Sequence, residues 1–467
     1  MLALEYLRRS RRLTPEVEMK ALQYINVGYQ RLLTFEVPGG GFDWYGKPPA
    51  NLVISAYGLL EFTDMAKVYE IDPRVIDRTR DWLLKLQRPD GSWEMPQRTV
   101  YSWTGLQGDF VVTAYVAWSL AEAGIKGPAV ERAMEWLRRN LDEVKDPYPL
   151  ALAANALAAY DPKDARTSML LRTLDGKKTE DRENRTVFWK QEGSTAFYAR
   201  GDYASIETTA LAAYAMMRTP DYANTVNGAL AYLVKMKDAR GTWGSTSATI
   251  LSLKALLRGM LGQEQKGVAK VVFRVNGQAR VVTITPDQAD VLQLVDFKDA
   301  SRKGDNEVEV EVEGETAAMY QLVGRWYVPW ADLPAEEKVP PLSIQVKYDA
   351  TTISKDELLK ANVRMNYNGA APTFMVLVDL GIPPGFVVDE SSFKKMVENK
   401  TIERYSMTQR QISLYFGAMR PGQEVAFQYA LQPKYPIKAK TPKSVAYEYY
   451  SPDRRGESAP VEIEVRE

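Results

Sequence analysis

Neither cysteine nor histidine occurs anywhere in the 467 residues. Without a thiol there is no disulfide, no thiolate nucleophile and no Cys-built zinc site. Without an imidazole there is no histidine base and no His-ligated metal. A surplus of one charge is also missing. The 60 Lys and Arg balance the 60 Asp and Glu, leaving no formal net charge and a pI near 6.6. Nothing basic is left over to displace counterions from a polyanion, so nucleic acid is not an expected partner. Long apolar runs are lacking too. Mean hydropathy is −0.33, and no stretch approaches the roughly 20 apolar residues of a membrane span. Met1 to Tyr6, with Glu5 and the Arg8, Arg9, Arg11, Arg12 cluster close behind, reads as the end of an amphipathic helix rather than a signal peptide. An all-carboxylate calcium or magnesium site stays chemically open, but no EF-hand-like loop is visible. No catalytic, cofactor-binding or metal-ligating residue and no cofactor is therefore assigned.

What is present is a phrase written twice. Residues 82–93 (WLLKLQRPDGSW) and 232–243 (YLVKMKDARGTW) overlay without a gap. Each opens on an aromatic, Trp82 or Tyr232, continues with apolar residues at helical spacing, and closes with a Gly two positions before a Trp. That pattern predicts a helix ending in a glycine-supported turn, with an indole plugging the gap to the next helix. The segment Gly39-Gly40-Gly41-Phe42-Asp43-Trp44 looks like a looser version of the same turn.

A chain of this length holds roughly three domains, and its character changes near residue 260. Before that point, segments 54–62, 112–120, 150–160, 208–217 and 250–257 are apolar around most of their circumference, the mark of inner helices. Between them, 74–86, 129–140 and 225–236 are amphipathic, each with an aromatic–Leu pair near its end. Alternating inner and outer helices predict an α/α toroid. Beyond a polar, Gly-rich stretch (259–267) the period becomes 2. Residues 271–275 and 279–285 flank Asn276-Gly277 as a β-hairpin, and 307–313 (EVEVEVE) is expected to have one wet and one buried face. Pro329, Pro334, Pro340 and Pro341 mark a linker. Strands follow at 342–348, 362–367, 374–379, 411–416, 425–431 and 445–450. One short helix interrupts them, capped by Asp389 or Ser391 and burying Phe393, Met396 and Val397. The fold class is thus multidomain, α then β: a toroid over 1–262, a β segment over 263–335, and a β-sandwich over 336–467.

These residues resemble a known family. Leu13-Thr14-Pro15-Glu16, Gly28-Tyr29-Gln30-Arg31-Leu32, Asp90-Gly91-Ser92-Trp93 and Trp243-Gly244-Ser245-Thr246 are similar to the thioester domain of α2-macroglobulins and complement-type proteins. Residues 268–330 resemble the second half of the CUB-like domain that follows it. Segments 376–385 (VLVDLGIPPG) and 445–450 (VAYEYY) resemble the receptor-binding, macroglobulin-like domain. The resemblance implies a protease-trapping, non-enzymatic protein of innate defence, working outside the cytoplasm, extracellular or periplasmic. In that family, cleavage of a bait segment exposes a Cys–Gln thioester, held in Gly-Cys-Gly-Glu-Gln, which acylates an amine or hydroxyl of the target. Here no such motif exists. Its usual place is just upstream of residues 2–9, so the chain is expected to be the C-terminal portion of such an endopeptidase inhibitor. The thioester itself, the bait segment, the upstream macroglobulin-like domains and half of the CUB-like domain would be missing. Its implied partners are those upstream domains and the proteases targeted by the parent protein.

Other readings compete. The Gly91-x-Trp93 phrase also looks like the repeat of terpene and squalene cyclases, toroids that need clustered acidic residues. Asp202 and Glu207 are the best pair facing a cavity, although Asp202 is read first as the cap of a helix starting near Tyr203, and Glu207 as making a local polar contact. Prenyltransferase-like and lanthionine-cyclase-like toroids need a zinc site normally built with Cys or His, which this sequence cannot supply. Trp44, Trp93, Trp103 and Trp243 could form a ligand platform, but their spacing follows the hairpin repeat, which favours packing. Lys394 and Lys395 sit where vertebrate relatives dock a receptor, and are read here as a solvated face. The Arg8 cluster is read as a helix C-terminus favouring cations. Three function classes are carried forward: the inhibitor portion first, a non-covalent interaction or scaffold module second, a toroid enzyme last.

Overall fold

Alanine-rich helices form the inner wall of a ring. The computed structural model describes every residue except 10–12, 95–107, 239–240, 261–266, 287, 289–292, 315–319, 321, 328–339, 371, 374 and 450. In chain order the helices are α1 (Leu2–Arg9), α2 (Pro15–Leu33), α3 (Leu52–Ala66), α4 (Pro73–Lys85), α5 (Asp109–Glu122), α6 (Pro128–Asn140), α7 (Pro147–Tyr160), α8 (Ala165–Asp175), α9 (Gly201–Met216), α10 (Ala223–Lys235) and α11 (Thr246–Met260). The odd-numbered helices are inner. α3 packs on α5, α5 on α7, α7 on α9, α9 on α11, and α11 returns to α1. α5, α7 and α9 are buried on nearly every side, because Ala side chains let neighbouring backbones approach closely. The even-numbered helices bury one stripe each, such as Val75, Thr79 and Leu83 of α4. Starts are set locally: Asn51 accepts the N–H groups of Val53 and Ile54 at 3.0 and 3.1 Å, and Pro73 follows the capping Asp72. The toroid predicted from periodicity is present, with α2 and α8 added to the outer helices read from the sequence.

The repeated phrase has a repeated structure. Trp93 and Trp243 are fully buried, and their indole Nε1–H groups donate to the carbonyls of Leu83 (2.8 Å) and Leu233 (2.6 Å). Each backbone N–H donates to a threonine hydroxyl on the following inner helix, Thr113 at 2.9 Å and Thr249 at 3.1 Å. Trp189, which the repeat did not flag, does the same, with Leu174 (2.7 Å) and Thr209 (3.1 Å) as partners. In the 39–44 turn the closing residue is Phe42, not Trp44. Phe42 is buried and its N–H donates to Ser55 Oγ at 2.8 Å, whereas Trp44 is half-buried. A Cβ on Gly40 would lie 2.6 Å from the Arg78 carbonyl of α4, and one on Gly91 2.4 Å from the Arg132 carbonyl of α6. The two glycines hold equivalent places, so Phe42 stands where Trp93 stands one hairpin later.

After the ring the chain is β. Strands Ala269–Val275 and Gln278–Ile284 form the expected hairpin, with Asn276 and Gly277 at φ +49° and +87°. Val308–Glu313 pairs antiparallel with the first of them at the sheet edge. Its valine face is not buried, contrary to expectation: Val308 and Val312 are exposed and Val310 is only half-covered. Alternation marks a face as apolar, but only a second layer buries it, and none covers this face among the described residues.

The final unit has a four-stranded and a five-stranded antiparallel sheet and a smaller three-stranded one. Leu359–Tyr367 shows the period of 2 directly: Leu359, Ala361, Val363, Met365 and Tyr367 face in. The inserted helix α12 (Ser391–Glu398) buries Phe393 and Met396, and Asp389 accepts the N–H and O–H of Ser391, each at 2.9 Å. The short strands Thr352–Ser354, Phe386–Val388, Arg404–Met407 and Ile437–Lys440 were not foreseen. The proline-marked linker lies mostly outside the described residues. One contact between ring and sandwich is direct: Arg200 Nη2 donates to the Pro372 carbonyl at 3.4 Å.

Candidate functional site

Charged side chains gather among the inner helices in the interior of the ring. A cavity of about 30 Å³ lies there, lined by Tyr57, Glu61 and Asp64 of α3, Tyr115 and Trp118 of α5, and Lys254 of α11, among others. That volume admits a water molecule or two. An isoprenoid or a sugar does not fit.

The charges around it are matched. Lys254 Nζ donates to Asp64 Oδ2 at 2.7 Å, and Lys67 Nζ to the other Asp64 oxygen at 2.6 Å. Burial pushes the Asp64 carboxyl up, but the two ammoniums outweigh it and hold it below its ordinary range. Lys254, which burial pulls down, ends above its ordinary range because Asp64, Tyr214 and Glu122 surround it. Glu122 accepts from Tyr214 Oη at 2.8 Å, Arg218 Nη2 at 2.6 Å and Trp118 Nε1 at 3.2 Å. Burial raises its pKa, yet Arg218 and Lys254 bring it below normal. Three cations lie near the Tyr214 ring: Arg258 at 4.8 Å, Arg218 and Lys254 at 5.6 Å. Glu61 is the exception. Burial keeps its carboxyl above the usual range even though Tyr57 hydrogen-bonds it. The carboxylates here are held by cations and hydroxyls, and no group of three or more acidic side chains is placed to hold a metal among the described residues. The arrangement fixes helices against one another, α11 to α3 through Lys254 and Asp64.

The pair named from the sequence is not brought together. Asp202 lies exposed in the first turn of α9 and does not cap it; the helix begins at Gly201, two residues earlier than expected, after Arg200. Glu207 points inward and is 1% exposed, and its polar neighbours are hydroxyls that lie outside good hydrogen-bond geometry to either carboxylate oxygen. Burial raises its pKa to about 7, only partly offset by the hydroxyls of Thr195, Ser247 and Ser245 nearby. Among the tryptophans, Trp93 and Trp243 are core plugs and form no platform, and Trp103 lies outside the described residues. Lys394 and Lys395 are exposed on α12. Arg8 binds Glu18 at 2.7 Å and the Val68 carbonyl at 2.8 Å, and Arg9 binds Glu5 at 2.6 Å. Arg11 and Arg12 lie outside the described residues. The Lys254–Asp64 pair escaped sequence reading because 190 positions separate its members.

Known proteins share this plan. A family model of the A-macroglobulin TED domain matches residues 1–258, more than half of the chain, and one of the A-macroglobulin receptor binding domain matches residues 372–459. Ovostatin from Gallus gallus is 21% identical over 470 residues, covering 96% of this chain and 31% of ovostatin. The native conformation of E. coli α2-macroglobulin matches with a TM-score of 0.63 at 17% identity, over 99% of this chain and 28% of that one. Salmonella α2-macroglobulin reacted with methylamine matches at 0.61 and 16% identity, over 97% and 28%. The chain therefore spans about a third of the length of ovostatin, and at these identities the structural likeness speaks for the fold. On these grounds the chain belongs to the A-macroglobulin family, of which it carries the C-terminal toroid-to-sandwich region.

Proposed function

We propose that this chain is the C-terminal part of an α2-macroglobulin-like endopeptidase inhibitor and cannot itself form the Cys–Gln thioester. The single observation that carries the second half is the absence of Cys from all 467 residues. Family membership supports the first half. Its division is a toroid over 1–262, a CUB-like β segment over 263–335 and a receptor-binding-type sandwich over 336–467. Proteases are its targets through the parent molecule, and it works outside the cytoplasm; among the described residues no helix is long and apolar enough to cross a membrane. The reading is non-enzymatic. In its favour are a cavity of about 30 Å³ and carboxylates already engaged by cations.

The test is to read the coding DNA upstream of the Met1 codon in frame, then assay the whole product. An upstream Gly-Cys-Gly-Glu-Gln, with inhibition of an endopeptidase acting on a protein substrate, supports the inhibitor reading. A whole product that lacks the motif and leaves the protease unaffected would shift the assignment to a non-covalent interaction module.

A further inference from the structure

Glu207 has no role in the network described above. It sits on α9 with both oxygens buried and unbonded. The groups acting on its carboxyl are the hydroxyls of Thr195, Ser247 and Ser245, all neutral. The titratable groups facing it are Tyr115 of α5 and Tyr148 of α7. Burial holds both phenols well above their ordinary value, so both stay neutral at any physiological pH. An ionised carboxylate there has no counter-charge, and a low-dielectric interior does not tolerate it without water.

Helices α5, α7 and α11 bring Tyr115, Tyr148 and Ser247 to the site, and the 194–201 turn, which leads into α9, borders it as well. Its inner face presents Thr195, fully buried, whose hydroxyl makes no hydrogen bond. The turn is held by Thr195 N–H to the Ala199 carbonyl, Tyr198 N–H to the Thr195 carbonyl and Ala196 N–H to Tyr148 Oη, each at 3.1 Å. Tyr198 sits at φ +61°, a conformation that disfavours a bulky residue. The outer end carries Arg200, whose Nε reaches Ser194 Oγ and whose Nη2 reaches the Pro372 carbonyl of the sandwich, both at 3.4 Å. One short turn thus touches Glu207 on one side and the sandwich on the other.

We propose that Glu207 is a proton-operated latch: its neutral form holds the 194–201 turn closed against the ring, and its ionisation opens the turn and loosens the contact with the β-sandwich. Thr195 brings the turn up against the carboxylate, so water solvating the ionised form enters past the turn. Other ionisable groups lie near the sandwich side of the contact: Asp202, Tyr203, Tyr367, Glu448, Asp453, Arg454 and Arg455. Asp453 is also raised by burial, so the experiment must separate its titration from that of Glu207.

Amide hydrogen exchange does so, read as protection corrected for the intrinsic rate, at pH 6 and pH 8.5 on the intact chain. In the unsubstituted protein, protection across 194–203 should fall about tenfold or more over this range, following the ionised fraction. The 88–93 turn, built on the same plan with no buried carboxylate, should hold steady. Glu207→Gln, neutral at every pH, should keep 194–203 protected at both values, and Asp453→Asn should leave the fall intact. A flat profile in the unsubstituted protein overturns the proposal, as does a parallel fall at 88–93. A fall surviving in Glu207→Gln does the same. Should that variant not fold, the contrast between the two turns still decides.

Discussion

The Lys254 ammonium meets the Asp64 carboxylate at 2.7 Å inside the ring, joining α11 to α3. Both side chains are almost wholly buried, so the pair acts as a clasp where the last inner helix comes round to the first ones. Removing one member of such a pair strands the other's charge. Asp64→Asn should destabilise the ring by about 3–5 kcal/mol. Lys254→Met should cost less, because Lys67 still neutralises Asp64. The double variant should be more stable than Asp64→Asn alone, and urea unfolding of the three chains checks the order.

The acid and alkaline limbs of stability should come from different carboxyls. Asp64 and Glu122 lie below their ordinary range, so their contribution is full above the unfolded value and vanishes as pH falls through the folded one. Glu207 lies above its own: it contributes fully below 4.5, and that contribution is lost as pH rises to about 7. At about 1.4 kcal/mol per unit, the loss comes to about 3 kcal/mol. Thermal or urea melts from pH 5 to pH 8 should show that decline, and Glu207→Gln should remove it. An identical slope in both proteins would contradict the assignment.

The three indole plugs should be equivalent. Trp93→Ala, Trp189→Ala and Trp243→Ala each empty a fully buried site and should cost about 3–5 kcal/mol. Trp44→Ala, at a half-buried position, should cost under about 1.5 kcal/mol. Chemical unfolding of the four variants measures both figures. A Trp44 loss as large as the others would mean that the 39–44 turn closes on Trp44 after all.

Two glycines in the same phrase should respond differently. Gly91 and Gly241 both sit at positive φ, +98° and +84°, so alanine is strained at either. At Gly91 a Cβ would also strike the Arg132 carbonyl at 2.4 Å, whereas at Gly241 it would meet nothing within 4 Å. Gly241→Ala should therefore cost about 1 kcal/mol, and Gly91→Ala clearly more. Melting temperatures rank them. Equal losses would show that backbone strain alone governs the turn.

Much of the ring was readable because its signals are local. The apolar circumference of 150–160 and the Gly-x-Trp ending of 82–93 each lie within a dozen residues. Trp189 escaped notice because a hairpin, Thr179–Asp181 paired with Thr186–Phe188, separates it from Leu174, so the spacing no longer matches. Phe42 escaped because the plug changes from indole to phenyl. Glu207 could be named as a candidate, but its isolation could not be foreseen: the groups around it come from residues 195, 245 and 247 and from two other helices. The exposed valines of Val308–Glu313 fail for the opposite reason, since alternation reports chemistry on a face and not what lies over it.

Residues 1–467 contain no Cys and so no acylating thioester of their own. The direct measurement is to challenge the whole gene product with an endopeptidase in the presence of a fluorescent primary amine, then map every covalent adduct by peptide mass spectrometry. The expected result is reduced protease activity toward a protein substrate and no acyl cross-link through any of residues 1–467. An amine or protease joined to an acyl group within those residues, or a protease left fully active, would contradict it.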